Sequence, residues 1–576
     1  MIAKMTKYSF ILLSTDKEKF LEDLQGLGLV DITRSVKPVD EHSTALMEHI
    51  SSVKIEIEQI EKGRDSYLQG LLDEKTAAEK ELRDTRPWGD FDRDAIDDLA
   101  EKGLHIHFYC VPSKKFDPAW EQSFALQVIS EEGGQTYFTV VNPENFPVKE
   151  TAAPKRSVSE IEACIKDLDD RIRVHREHLA ARKSDIPALQ AKIASLSQDL
   201  DRYLAGVKAD NAAENMLCCF QGFAPEECDS QVRELLDRES VYYISEKATV
   251  EDNPPIKLHN NRFARMFETL TGMYGMPVYD EFDPTPVLSV FFMLFFAMCM
   301  GDAGYGLILI FFGFAVNKKW VKIDMFKNIG SLITFLGVAT TIVGLFLGTA
   351  FGISLHDAAW VPDSLKNLMI VGNVGSYDIQ MVLALAIGVF HICLAMVIKT
   401  ACYIRRFGFK ESISTCGWTL LIVGVIITLA VSMFIGLPEQ VTKIIIIAIA
   451  AVSALGIFIF NKPGRNPLLN IGSGLWDTYN MVTGLLGDVL SYIRLYALGL
   501  AGGMLGGAFN DLSAMVLGAN PTWQWVFAVI ILLLGHTLNL LMSCLGAFVH
   551  PLRLTFVEYF KNSGYEGKGL KYNPLK

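Results

Sequence analysis

The chain has 576 residues, half of them hydrophobic, with a mean hydropathy of +0.26 and a formal net charge of −12. That charge is unevenly spread: residues 1–285 carry 35 Lys and Arg against 53 Asp and Glu (net −18), and residues 286–576 carry 18 against 12 (net +6). An acidic front half argues against nucleic acid as a partner, and a back half this poor in charge reads as a membrane domain, with too many apolar stretches for a soluble enzyme on one anchor. The ten Cys fall at irregular spacings with no paired CxxC units, so neither a disulfide scaffold nor a metal-ligand set is indicated.

In chain order, MIAKMTKYSFILLSTDKEKF has too short an apolar run for a signal peptide and is expected to be a cytoplasmic strand. DKEKFLEDLQGLG predicts a helix ended by Gly26 or Gly28, and LVDI a second strand. Leu46, Ile50, Val53, Ile57, Ile60, Tyr67 and Leu71 then recur at alternating steps of three and four, with Arg64 filling one position, which is a heptad seam. A second seam runs Ile161, Ile165, Leu168, Ile172 and Leu179, and resumes from Ile186 through Leu189, Ile193, Leu196, Leu200, Tyr203 and Val207, with Pro187 marking a break. Between the seams, HIHFYCV and TYFTVV predict strands; after them, LCCFQGF, DSQVRELLDR and VYYISE predict strand, helix and strand. The expected cytoplasmic domain, residues 1–285, is two α/β lobes joined by an antiparallel coiled coil with helices at about 43–85 and 155–207. A helix of roughly 45 residues reaches about 65 Å; on the seam pattern alone, a plain two-helix spacer without chemistry is the favoured reading.

Apolar stretches follow at 286–316, 328–354, 379–398, 414–436, 441–460, 476–509 and 522–549. The loops at 317–327, 399–411 and 461–470 and the tail after 553 are basic, whereas 355–378, 437–440 and 510–521 hold at most one Lys. This alternation puts every basic loop on the cytoplasmic side only if 286–316 is two short helices broken near GDAGYG. The expectation for 286–576 is therefore an α-helical membrane domain of eight transmembrane helices with both termini cytoplasmic, although each half of 286–316 is shorter than a bilayer requires.

Few ionisable residues interrupt these stretches. Arg494 lies deep in GDVLSYIRLYALGLAGGMLGGAF, where a central Arg costs about 2.5–3.5 kcal/mol; it faces either a buried partner such as Asp488, which six residues of helix turn well away from it, or a hydrated surface. Asn539, Gly546, His550 and Arg553 share one face of the last stretch, a polar stripe that fits a hydrated path or an interhelical seam, with Arg553 also placed to anchor at head groups. His550 precedes Pro551, where a kink is expected. Asp302, in a Gly-rich break, reads as structural, and His391 and His536 as core residues. The glycines of GGMLGGAF permit close approach of another backbone, here read as another subunit's surface.

SYIRLYALGLA, HPLRLTFVEYF and GDAGYGL, with PPIKLHNNRFARMFETLTGMYGMPVYDEFDPT before the first span, together resemble the membrane subunit a, also called subunit I, of rotary V-type and A-type ATPases (ATP synthases). The motif-rich match covers 254–576; the front half is similar in architecture and only weakly in residues. The resemblance implies a non-catalytic membrane stator in a prokaryotic plasma membrane. It forms two ion half-channels against a ring of small rotor subunits that carry an acidic ion-binding residue, and it couples H⁺ or Na⁺ movement to ATP hydrolysis or synthesis. Peripheral stalk subunits are expected on the coiled coil, the ATP-hydrolysing head indirectly, and no cofactor or metal. Residue by residue, it assigns ion translocation to Arg494, Arg553 and His550, with Asp488, Ser491 and Asn539 as half-channel candidates. Gly502 and Ser543 stand where some members carry His and Glu, so the polar route differs here. A stand-alone ion transporter or channel with a coiled-coil regulatory domain is the alternative, but no internal repeat is evident and both arginines lie in the last two stretches; a pure tethering scaffold leaves Arg494 unexplained. No GxxxxGK[ST] occurs, so nucleotide chemistry falls to partners.

Overall fold

A computed structural model describes residues 1–34, 39–143, 146–208, 210–212, 216–239, 241–318, 330–359, 361–459, 467–517 and 523–576. The principal soluble elements, in order, are β1 (Met5–Leu13), α1 (Lys17–Leu27), β2 (Asp31–Ile32), α2 (Glu41–Lys62), α3 (Ser66–Thr85), α4 (Arg93–Glu101), β3 (Ile106–Pro112), β4 (Leu126–Glu132), β5 (Gln135–Val141), α5 (Val158–Ala181), α6 (Ile186–Val207), β6 (Asp210–Ala212), β7 (Leu217–Pro225), α7 (Asp229–Arg238) and β8 (Tyr242–Lys247). The apolar helices come next: α8 (Thr285–Met300), α9 (Ala303–Asn317), α10 (Gly330–Leu347), α11 (Ile379–Phe407), α12 (Ile413–Ile435), α13 (Glu439–Ala454), α14 (Pro467–Ser491), α15 (Ile493–Leu517) and α16 (Gln524–Arg553). Two compact units result: Leu13–Gly26, Thr33–Cys218 and Leu575–Lys576 form one, and Met1–Leu12, Leu27–Ile32 and Cys219–Pro574 the other.

In the first unit, α2 packs against α6 and α3 against α5. Ile50, Leu200 and Leu204 are buried between the first pair, and Leu68, Leu71, Ala78, Leu168, Ile172 and Leu179 between the second. Asp40 with Ser43 and Ser157 with Glu160 form reciprocal capping boxes that start α2 and α5. The first seam is not one helix. Gly63 ends α2 in the left-handed region (φ 61°), and the Asp65 carboxylate then accepts the Leu68 N–H at 2.8 Å to start α3. This break shifts the heptad register, so Leu68 is buried while Tyr67 is 52% exposed. The opposite strand is interrupted at the short turn Arg182–Asp185, and Pro187 occupies the first turn of α6, where its missing N–H is harmless. Strands β3, β5 and β4 form a separate antiparallel sheet over Tyr109, Val111, Phe138 and Val140.

In the second unit, a sheet ordered β2-β7-β1-β8 pairs Tyr8 with Ser245 and Asp31 with Phe223. The segment before α8 is clamped to the end of the chain: Tyr565 Oη donates to Gly275 O (2.7 Å), the Glu566 N–H to Glu281 (2.9 Å), and Arg406 pairs with Asp280 (2.6 Å) and Glu566 (3.3 Å). Burial pushes the Glu281 carboxyl above its ordinary range. Six of the described helices are long and apolar enough to cross a bilayer, namely Gly330–Leu347, Ile379–Phe407, Ile413–Ile435, Glu439–Ile459, Asn470–Leu517 and Gln524–Ser563; α8 and α9 are apolar but shorter. The expectation of eight spans counts those two, and Gly301 (φ 59°) and Asp302 do separate them. Helix α8 is walled in by protein: Leu288, Phe292, Phe295, Ala297 and Met300 are all at or below 1% exposure, packed by α10, α15 and α16. The 476–509 stretch is longer than expected, forming α14 and α15 joined at Tyr492. Most of the basic loop 317–327, much of 461–470 and the end of 510–521 lie outside the described residues.

Helices α9 and α10 touch backbone to backbone, because glycines face the contact: a Cβ on Gly337 stands 2.7 Å from Ile310 N, and one on Gly306 2.6 Å from Thr341 N. Gly337→Leu is therefore expected to force the pair apart at a cost of about 1–3 kcal/mol or more, seen as a lowered melting temperature of the detergent-solubilised protein. Gly472→Leu, where a Cβ meets nothing within 4 Å, is the control that stays near the parent.

Candidate ion-pathway site

The site is built around the joint between α14 and α15. Tyr492 fills it, fully buried, with its hydroxyl hydrogen-bonded to His391 Nδ1 at 2.9 Å. The His391 ring is stacked between Phe291 (4.1 Å) and Tyr559 (4.5 Å). Gly388 admits the Tyr492 ring against the α11 backbone, since any Cβ there would overlap it. This packing fixes the start of α15, and hence Arg494. Arg494 makes no hydrogen bond or ion pair with the described residues, and its Nη1 is buried without a partner. Cys299 of α8 and His550 of α16 lie beside it. His550 also feels Arg553, and its own Nδ1 is buried and unpartnered.

Asp488 does not pair with Arg494. Its carboxylate accepts Lys561 Nζ at 3.2 Å and Asn562 Nδ2 at 2.7 Å, at the end of α16 that leads to the clamp on the segment before α8. Ser491 donates to Gly487 O (3.0 Å) and stands near Glu558. Glu558 is 2% exposed and belongs to a π turn, Leu554–Tyr559, that continues α16 past Pro551.

A second polar group lies at the middle of α16. Asn539 Nδ2 donates to Tyr305 Oη (2.9 Å) and to Gly502 O (2.8 Å), and Ser543 Oγ donates to Asn539 Oδ1 (3.3 Å). Tyr305 Oη is bonded in turn to His536 Nδ1 (2.8 Å), His536 Nε2 to Asn510 Oδ1 (3.0 Å), and Asn510 Nδ2 to Phe351 O (2.8 Å). With Asn539 donating to it, the Tyr305 hydroxyl directs its own proton at Nδ1, and the neutral ring then donates from Nε2 to Asn510. An unbroken chain thus runs from Ser543 to the loop beyond α10. Asp302 holds that loop: its carboxylate accepts the N–H groups of Gly304 (2.8 Å), Tyr305 (3.1 Å), Phe351 (2.8 Å) and Gly352 (2.8 Å), stabilising Phe351 at φ 50°. Next to it, an apolar cavity of about 300 Å³ is lined by Met298, Gly301, Leu347, Thr349, Tyr496 and Gly503, among others. Part of the GGMLGGAF face is used within the chain: a Cβ on Gly506 meets Gly352 Cα at 3.0 Å, whereas Gly503 faces open space. No cluster of three or more His, Cys, Asp or Glu fit to hold a metal occurs among the described residues.

The V-type ATPase 116kDa subunit family matches residues 138–364. Among curated proteins, A-type ATP synthase subunit I of Methanocaldococcus jannaschii is 32% identical over 61% of this chain and 53% of its own length. V-type ATP synthase subunit I of Borreliella burgdorferi is 24% identical over 100% of this chain and 99% of its own, and subunit I 1 of Treponema pallidum is 24% identical over 100% of both. The chain is thus similar to subunit I of V-type and A-type ATP synthases. It is a multi-pass membrane protein, and its matched region spans about half the length of the Methanocaldococcus jannaschii relative.

Within this family frame, the six residues expected to carry ion movement separate into three places. Arg494, His550 and Arg553 lie together; Asp488 and Ser491 stand with Glu558 and Lys561; Asn539 belongs to the chain through Tyr305. Sequence reasoning did not single out Glu558, Tyr305 or Asn510, and took His536 for a core residue. Glu558 lies beyond the expected end of the last span, although it stands inside HPLRLTFVEYF; Tyr305 stands inside GDAGYGL. Asp302, read as structural, acts as a cap for two segments. Asp302→Ala is expected to orphan four backbone donors and lower stability by roughly 2–4 kcal/mol, measured as a fall in melting temperature. Asp302→Asn, which keeps one acceptor oxygen, loses about half of that.

Proposed function

We propose that this chain is the membrane stator subunit of a rotary V/A-type ATPase. Residues 286–576 form eight spans with two ion half-channels against a rotating ring, and residues 1–285 form the cytoplasmic stator domain. The observation that carries this reading is the buried, unpartnered Nη1 of Arg494. A guanidinium inside an apolar unit demands a counter-charge, and none comes from the described residues of its own chain. A passing acidic group on a ring of small rotor subunits supplies one transiently. Close to that acid, the fixed cation lowers its proton or Na⁺ affinity and releases the ion; between two half-channels, it repels any cation leaking directly across. Arginine stays charged at every working pH, as lysine in such a place does not.

The two polar groups on α16 support a pair of separated paths. His536 and Glu558 stand roughly 33 Å apart along the helix, with Arg494 and His550 between them in the packing. The chain through Asn539, Tyr305 and His536 lines the route to the outer side, and the Asp488–Ser491–Glu558 group the route to the cytoplasmic side, where both termini lie. ATP is hydrolysed or made on partner subunits, held through peripheral stalks on the α2–α3 and α5–α6 pair; the names of the relatives, ATP synthase subunit I, favour such an assembly. A stand-alone transporter has no need of an arginine without an internal partner.

Arg494→Ala is expected to abolish ATP-driven ion transport in reconstituted vesicles, a loss of at least 100-fold, while the assembled complex still purifies; transport that survives rejects the role given to Arg494. Arg494→Lys is expected to fold and to remain severely impaired. Deletion of residues 43–207 is expected to release the ATP-hydrolysing head from membranes, measured by sedimentation of ATPase activity; a head that stays bound rejects the mounting role of the helix pair.

A further inference from the structure

Glu558 is a buried carboxyl that the stator function does not by itself require. It is 2% exposed, and its Oε2 has no hydrogen-bond partner. A carboxylate that serves only the fold in an apolar interior is normally paired, and Asp488 close by shows that condition, held by Lys561 and Asn562. Glu558 is different. Ser491 stands near it at the end of α14, Arg553 acts on it from its own helix, and Asp488 and Tyr492 lie close to it at the α14–α15 joint. The π turn Leu554–Tyr559 inserts one residue into α16 and swings the residues beyond it by about 100° relative to an uninterrupted helix. Two further buried polar atoms without partners, Tyr559 Oη and His391 Nε2, flank Tyr492. An aromatic helix end that served packing alone would not gather these atoms. They suit a group that changes partners during turnover.

We infer that Glu558 is a proton-exchanging residue of the cytoplasmic path, loading or unloading the ring acid that faces Arg494; the inference rests on the proposed stator function. Its carboxylate accepts one proton from water at the Lys561 end and passes one proton onward toward Arg494. The O–H bond made in the first step is the bond broken in the second, so the group returns unchanged and no co-reactant is consumed. Reversal of the two steps serves the opposite direction of rotation. The ion is a proton: hard metal cations are held by several free oxygen ligands, whereas the oxygens beside Glu558 on Asp488 and Tyr492 are engaged by Lys561, Asn562 and His391, and the nearby Arg553 guanidinium repels cations.

The test uses the whole complex reconstituted in liposomes. Glu558→Gln keeps the size and hydrogen-bonding shape of the side chain, so a purely structural Glu558 tolerates it. The expected result is ATP-driven proton uptake reduced at least tenfold in Glu558→Gln with unchanged subunit composition. Glu558→Asp is expected to recover part of the rate with a displaced pH profile. Proton uptake in Glu558→Gln within twofold of the parent, with the same pH profile, overturns the inference, as does transport by the parent that follows ²²Na⁺ and not protons. In either case continued loss of transport in Arg494→Ala leaves the stator reading standing, so the two fail separately. Should Glu558→Gln fail to assemble, Ser491→Ala reads the same path: a shifted pH profile supports the inference, and an unchanged rate and profile overturn it.

Discussion

A positive charge that the described residues of its own chain leave uncompensated sets the terms for the membrane unit. At an effective dielectric constant of about 20, two unit charges 4 Å apart attract by roughly 4 kcal/mol, comparable with the cost of keeping an arginine within a bilayer. A permanent carboxylate partner would lock the site into one state. Asp488 is near enough in sequence to have served, yet Lys561 and Asn562 hold it elsewhere. The arrangement therefore keeps Arg494 available at the expense of stability, and the surrounding aromatic packing of Tyr492, His391, Phe291 and Tyr559 provides the rigidity that the missing ion pair does not.

The short helices α8 and α9 reflect the same economy of polar groups. Sixteen residues of α8 are too few to cross a bilayer comfortably, but α8 does not meet the bilayer as a lone rod, being enclosed by α10, α15 and α16. At its end, Gly301 turns the chain and Asp302 satisfies the first donors of α9 together with two donors of the loop after α10. One carboxylate thereby joins the start of a helix to a distant loop, and the polar chain through Tyr305 and His536 hangs from that junction.

Much of this was legible in the residues. The change of hydrophobic period placed the soluble helices and the apolar stretches, the loop charges split 286–316 at GDAGYG, and the RL motifs marked Arg494 and Arg553. Three features were not legible, for physical reasons. The break at Gly63 hides inside a heptad pattern, because one inserted turn preserves hydrophobic spacing on either side while changing which residue is buried. The π turn that carries Glu558 has no local signature, since α and π turns use the same residue types. The chain from Asn510 to Asn539 is assembled from three helices and a loop, so no single stretch of sequence announces it, and the partners that satisfy both ring nitrogens of His536 are remote in the chain.

The interruptions of the helix pair have a mechanical meaning. They are staggered: Asp65, at the first break, is tied to His175 at 2.8 Å, and Arg182, at the second, to Glu56. Each gap in one strand therefore lies beside an unbroken stretch of the other, α5 next to Gly63–Asp65 and α2 next to Arg182–Asp185. A two-stranded rod with its joints offset in this way is splinted at both, and it spreads a bending load over its length.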